Sequence, residues 1–193
     1  MNPYIIIIIG AVFVNNFVLC QFLGICSFLG VSKKLDSSIG MGMAVIFVMS
    51  IASVITYIIQ KYVLVTLDLQ FLQTIVFILT IAALVQIVEM VIKKFSPSLY
   101  TALGVYLPLI TTNCAVLAVA INNTTDIVID SLFKAFLNGV FSGVGYMLAI
   151  VLLAGIRERM DINKVPKPFR GFPITLLAAA IMSMAFNAFA GIV

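Results

Sequence analysis

Histidine and tryptophan are absent from this 193-residue sequence, and charged residues make up only 9% of it. The lack of histidine excludes imidazole metal sites and Ser-His-Asp catalysis within the chain. A soluble domain usually carries about 25% charged residues. Here 63% of the residues are hydrophobic, which leaves too little polar surface to cover a globule, so a soluble fold is excluded. No P-loop, dinucleotide fingerprint or flavin motif is present, and the chain is expected to have no catalytic site of its own. The net charge of +4 is no nucleic-acid signal, because the basic residues are scattered in short stretches between apolar runs. Only three cysteines occur, Cys20, Cys26 and Cys114. All three lie inside apolar segments, which argues against a disulfide framework.

What the sequence does contain is long apolar runs. About 20 apolar residues in a helix span the roughly 30 Å hydrocarbon core of a bilayer. Six runs meet that length: Tyr4–Val31, Ile39–Ile59, Phe71–Ile92, Leu99–Ile121, Leu132–Ile156 and Gly171–Val193. The first lacks the basic flank and small-residue cleavage site of a signal peptide and is read as a mature segment. Pro97, a helix breaker, divides the third run from the fourth. The expected fold is therefore an all-α integral membrane protein with six transmembrane helices in a single domain over 1–193.

Lysine and arginine set the orientation. The first, third and fifth connections hold Lys33, Lys34, Lys93, Lys94, Arg157, Arg159, Lys164, Lys167 and Arg170; the second and fourth hold only Lys61 and Lys134, beside Asp68, Asp126 and Asp130. The positive-inside rule puts the odd connections in the cytoplasm and both termini outside.

The halves, about 1–95 and 96–193, echo one another. Aligning Cys26 with Cys114 also matches Leu19 with Leu107, Leu29 with Leu117 and Val31 with Val119, and brings Asp36-Ser37 near Asp130-Ser131. Three helices per half is an odd number, so the halves enter the membrane from opposite sides as inverted repeats.

Two runs are expected to be interrupted. The first is too long for one span and holds Asn15, Asn16 and Gln21, then Gly24 ahead of Cys26; the fourth holds Pro108, then Thr111, Thr112, Asn113 and Cys114. Uncompensated polar groups are costly in lipid, so such residues face protein, an ion or a cofactor. Each interruption places a cysteine, Cys26 or Cys114, near freed backbone groups. The competing reading treats every cysteine as a small packing residue. Cys20 is assigned to packing, because six residues is about 240° of an ideal helix and it cannot share a face with Cys26. Asn15 and Asn16 are either interhelical hydrogen-bonding groups or part of a pathway. Glu89 either snorkels and pairs with Lys93 or serves a proton or sodium. The glycines of GMGMA and GVFSGVG are spaced for close helix packing. Two cysteines cannot complete an iron–sulfur cluster, which generally takes four thiolates, but they can supply half of one shared with a homologous partner.

The segments NNFVL, FLGICSFLGVSKKL, VQIVEMVIKKFSPSLYTALGVYLPLITTNCAVL, AGIRERM and VPKPFRGFP resemble the RnfA/NqrE family of membrane subunits. The resemblance covers nearly the whole chain from Asn15. Asn15-Asn16 replaces the Glu-Asn typical of the NqrE branch, the sodium-pumping NADH:quinone reductase, and TTNC replaces its TVNC; both differences favour the Rnf branch. That branch implies membership of an ion-translocating ferredoxin:NAD oxidoreductase, a sodium or proton pump of bacterial or archaeal cell membranes. It implies a [2Fe–2S] cluster, or alternatively a single iron, ligated by Cys26 and Cys114 together with a homologous RnfE-type subunit. RnfD-, RnfG-, RnfC- and RnfB-type subunits are the other implied partners. A metal-free inverted-repeat transporter is the alternative from a different class.

Overall fold

The computed structural model describes residues 7–32, 34–66, 70–95, 107–125, 129, 131–162 and 171–188. Lys33, Asp68, Pro97, Asp126, Asp130, Lys164, Lys167 and Arg170, used in the sequence reading, lie outside the described residues. The described residues are helical, with no strand among them.

A π-helical stretch, Gly10–Val14, continues an α-helical turn over 7–9. It is followed by α1 (Ile25–Val31) and α2 (Leu35–Ile59), the latter prolonged by a π turn at Gln60–Leu64. Next come α3 (Gln73–Phe95), α4 (Leu107–Thr111), α5 (Cys114–Thr125), α6 (Leu132–Ile162) and α7 (Phe172–Asn187). Pro173 lies in the first turn of α7, where a missing N–H is harmless.

Several expected boundaries move: Lys93 and Lys94, assigned to the third connection, belong to α3, and Lys134, assigned to the fourth, belongs to α6. The RERM segment, assigned to the fifth connection, belongs to α6, and Lys61 belongs to the turn that prolongs α2. Helix continues past the last apolar residue because each further turn still closes backbone hydrogen bonds. Long basic side chains can also project from a helix end toward water.

Among the described residues, three stretches are long and apolar enough to cross a membrane: Leu35–Leu64, Gln73–Val91 and Leu132–Met160; Phe172–Asn187 is apolar but shorter. The side chains of the described residues sort in a way that suits lipid. Large apolar residues such as Phe47, Phe71, Leu79 and Ile181 point outward, while Ser53, Thr56, Asn123, Asn138 and Ser142 are buried. A surface this apolar needs a nonaqueous surrounding or a partner.

The core is organised around α2 and α6, the most extensively packed pair. Small residues let these two backbones approach. A Cβ on Gly143 would lie 2.8 Å from the Ile46 Cα, and one on Gly139 would meet the Ser53 hydroxyl and sit 2.9 Å from the Met49 carbonyl oxygen. Gly139 and Gly143 are four residues apart and so share one face of α6, the small-xxx-small spacing of close membrane helix pairs. Met41, Met49, Tyr146 and Ile150 fill the space around this contact.

Candidate functional site

The first interruption runs from Asn15 to Gly24. It is organised by Asn16, which is 1% exposed. Its Nδ2 donates to the carbonyl of Gly145 on α6 at 2.9 Å and to that of Val12 at 3.2 Å; its Oδ1 accepts from the N–H groups of Val18 and Leu19 at 3.1 and 3.4 Å. One side chain thus serves backbone groups that an unwound helix would leave unmet in an apolar setting. The Leu19 carbonyl accepts from the Ser183 hydroxyl of α7 at 2.6 Å. Asn15 is exposed, and its backbone N–H closes the π turn onto Gly10 at 2.6 Å. The adjacent asparagines therefore have unequal parts.

Cys20 sits among turns rather than on a helix, so the ideal-helix angle used for it does not apply. Its thiol donates to the Val14 carbonyl at 3.2 Å. It is held locally, and no contact with the other two cysteines is formed through that bond.

The second interruption is short, at Thr112–Asn113. Pro108 does not make it: a proline disturbs the turn before it, and the residues that follow it to Thr111 are helical. The break comes from Asn113, whose Oδ1 accepts the Ala115 N–H at 3.1 Å and caps α5. Thr112 turns back on Pro108 through both its backbone N–H, at 3.2 Å, and its hydroxyl, at 3.0 Å.

The two interruptions meet. The Gly24 N–H donates to the Sγ of Cys114 at 2.8 Å, across 90 residues of sequence. Gly24 has φ +77, a conformation that favours glycine, and it has no room for a side chain. A Cβ there would lie 2.7 Å from the Asn113 Oδ1, 3.3 Å from the Ala115 Cβ and 3.3 Å from a ring carbon of Tyr146. On the other side of the glycine, the Tyr146 hydroxyl donates to the Ser27 hydroxyl at 2.7 Å, and Ser27 donates to the Gly24 carbonyl at 3.0 Å. The Tyr146 hydroxyl also lies beside Asn113 and Cys114.

Cys26 is the second residue of α1 and Cys114 the first of α5, and both are exposed. The Cys114 end opens on a cleft of about 180 Å³ lined by Ile78, Ile81, Thr111, Thr112, Asn113, Cys114 and Leu117. Asn113 is 5% exposed, and its side chain lies against the Tyr146 hydroxyl. The joint thus offers the Cys114 thiol with a backbone N–H on its sulfur, and Cys26 follows Gly24 by two residues on α1. No group of three or more His, Cys, Asp or Glu side chains gathers among the described residues. A thiolate is a soft metal ligand, and an iron–sulfur cluster generally takes four.

Glu89 is not part of this cleft. It is half-buried on α3, eight residues from Ile81, or about 12 Å along the helix. Sequence reasoning also missed three residues. Tyr146 and Ser27 looked like parts of apolar runs; the signal was the phenol itself, since a buried tyrosine hydroxyl needs a partner. Arg157 was counted as a loop charge. Its Nη1 donates to the Leu29 carbonyl and to the Ser32 hydroxyl, both at 2.8 Å, at the C-terminal end of α1. A cation there complements the helix dipole and ties the cysteine-bearing helix to α6.

A family model described as "Rnf-Nqr subunit, membrane protein" matches residues 4–193. The chain is 60% identical over 187 residues to the A-type component of the Na(+)-translocating ferredoxin:NAD(+) oxidoreductase complex of Acetobacterium woodii, covering 97% of this chain and 96% of that protein. It is 50% identical over 193 residues to the A-type component of the ion-translocating oxidoreductase complex of Actinobacillus pleuropneumoniae serotype 5b, and 52% identical to the protein of that name from Serratia proteamaculans. Each of those two alignments covers 100% of this chain and 99% of the relative.

Proposed function

Since this chain belongs to the Rnf-Nqr family of membrane subunits, we propose that it is the A-type component of an ion-translocating ferredoxin:NAD oxidoreductase, where it relays electrons within the membrane. Cys26 and Cys114 hold half of a [2Fe–2S] cluster, and a homologous E-type subunit supplies the other half. Such a cluster, when bound, supplies one-electron redox chemistry; the chain's own residues bind and orient it. The observation that carries this reading is the Gly24–Cys114 contact, which joins the two cysteine-bearing interruptions. Thiolate-ligated iron is anionic, and the Gly24 N–H is a donor suited to it. The D-, G-, C- and B-type subunits then carry the reactions with soluble substrates, and the ion moved is sodium or a proton.

The reading includes six spans arranged as inverted three-helix halves in a bacterial or archaeal cell membrane, with both termini outside. The packing pattern supports it. Exchanging the first half for the second leaves the α2–α6 contact unchanged. The same exchange turns the α2–α3 contact into α6–α7. A pseudo-twofold relation demands such pairing.

The test is iron and acid-labile sulfide, with electron paramagnetic resonance, on the purified complex. Cys26→Ala and Cys114→Ala are each expected to remove one cluster signal and stop ferredoxin-to-NAD electron flow, whereas Cys20→Ala leaves both intact. Loss of the signal in Cys20→Ala with retention in Cys26→Ala would overturn the ligand assignment. Full iron in all three variants would favour a metal-free transporter.

A further inference from the structure

We infer that Tyr146 and Ser27 are positioning residues that set the redox potential of the thiol site through Gly24, an inference that rests on the iron-binding reading above. The contacts form a relay. Tyr146, on α6, donates to the Ser27 hydroxyl at 2.7 Å; Ser27 donates to the Gly24 carbonyl at 3.0 Å; the Gly24 N–H donates to the Cys114 sulfur at 2.8 Å. The Gly24 carbonyl also accepts the Phe28 N–H at 3.1 Å, the first backbone bond of α1. Three anchors thus hold one glycine at φ +77 with its N–H on the sulfur.

The two hydroxyl groups behind the glycine are buried. Tyr146 is 2% exposed and Ser27 1%. The Gly24 carbonyl belongs to one peptide group and its N–H to the preceding one, so the two hydroxyls act on the last bond by fixing where the glycine holds its N–H, not by polarising it. A hydrogen bond to a cluster sulfur favours the more negative, reduced state and so raises the potential. Neither Tyr146 nor Ser27 ligates anything. Tyr146 alone is fixed to the rigid α2–α6 pair, so it sets the position of the glycine relative to the core.

The experiment is a potentiometric titration of the cluster signal in the intact purified complex, with iron measured on the same samples. Tyr146→Phe keeps the ring packing against Gly24 and removes only the phenolic donor; Ser27→Ala removes the middle link; Ser27→Thr restores a hydroxyl. Both Tyr146→Phe and Ser27→Ala are expected to keep full iron and lower the midpoint potential. The shift corresponds to up to a tenfold change in the oxidised-to-reduced ratio, or about 59 mV for one electron. Ser27→Thr is expected to stay near the parent value. An exchangeable-proton coupling to the reduced centre, assigned to the Gly24 N–H, should weaken in the same two variants. Unchanged potential in both variants at full iron overturns the inference while leaving the iron-binding reading in place. Loss of iron from both also overturns it, because a tuning contact is not needed to hold the metal. Full iron in Cys26→Ala and Cys114→Ala would remove the reading beneath it.

Discussion

Replacing Gly24 by alanine tests the joint between the two interruptions directly. Two costs can be worked out separately. An L-residue in the left-handed region is disfavoured by roughly 1–2 kcal/mol, and Gly24 has φ +77. The new Cβ would also lie 2.7 Å from the Asn113 Oδ1, closer than van der Waals contact. That oxygen can retreat only by giving up the Ala115 N–H, and losing a helix cap costs about 1 kcal/mol. The sum is about 2–3 kcal/mol, a large share of the margin of a folded protein. Gly24→Ala should therefore lower the thermal midpoint of the purified complex by several degrees and reduce its iron content. Gly24→Asn separates the two costs, since asparagine accepts the left-handed region more readily but still brings a Cβ. Asn113→Gly, introduced beside Gly24→Ala, removes the obstructing oxygen while glycine remains a tolerable cap; the double variant should recover part of the loss. Wild-type stability and iron in Gly24→Ala, or strict additivity with Asn113→Gly, would refute the reasoning.

The two neighbouring asparagines should behave very differently. Asn16→Ala strands the Gly145 carbonyl and the N–H groups of Val18 and Leu19, and unmet buried groups cost about 1–3 kcal/mol each where no water reaches them. Asn15→Ala, at an exposed side chain, should stay within about 0.5 kcal/mol of the parent; thermal denaturation of both variants in one detergent is the comparison. Arg157→Ala should loosen the end of α1 by about 1.5–3 kcal/mol, the range for a hydrogen bond to a charged group. Hydrogen exchange over 25–32 should report it as faster opening. Arg157→Lys should recover only part, because one ammonium does not reproduce the planar guanidinium fork.

Much of this protein was legible in one dimension. The apolar runs over 39–59, 71–92 and 132–156 are cores of helices in the structure, because a segment that buries its own backbone groups and shows apolar side chains all round has few alternatives. The two interruptions were legible too, from polar residues in the middle of runs that are otherwise apolar. Their internal causes were not. Pro108 looked like the breaker of the fourth run, yet Asn113 is; Asn15 and Asn16 looked equivalent, yet one is buried and the other exposed. Arg157 looked like a topological charge and turned out to hold α1 to α6.

The sequence by itself determined a membrane-suited, all-helical chain with two cysteines at two weak points, since hydropathy and helix-breaking chemistry are local properties carried by neighbouring residues. Only the tertiary structure decided that those weak points touch, that Gly24 presents its N–H to the Cys114 sulfur, and that Tyr146 and Ser27 stand behind it. Residues 24 and 27, 114, and 146 lie on three separate segments, and their proximity depends on how closely α2 and α6 approach through Gly139 and Gly143. That distance is set by packing between helices, which no run of consecutive residues encodes.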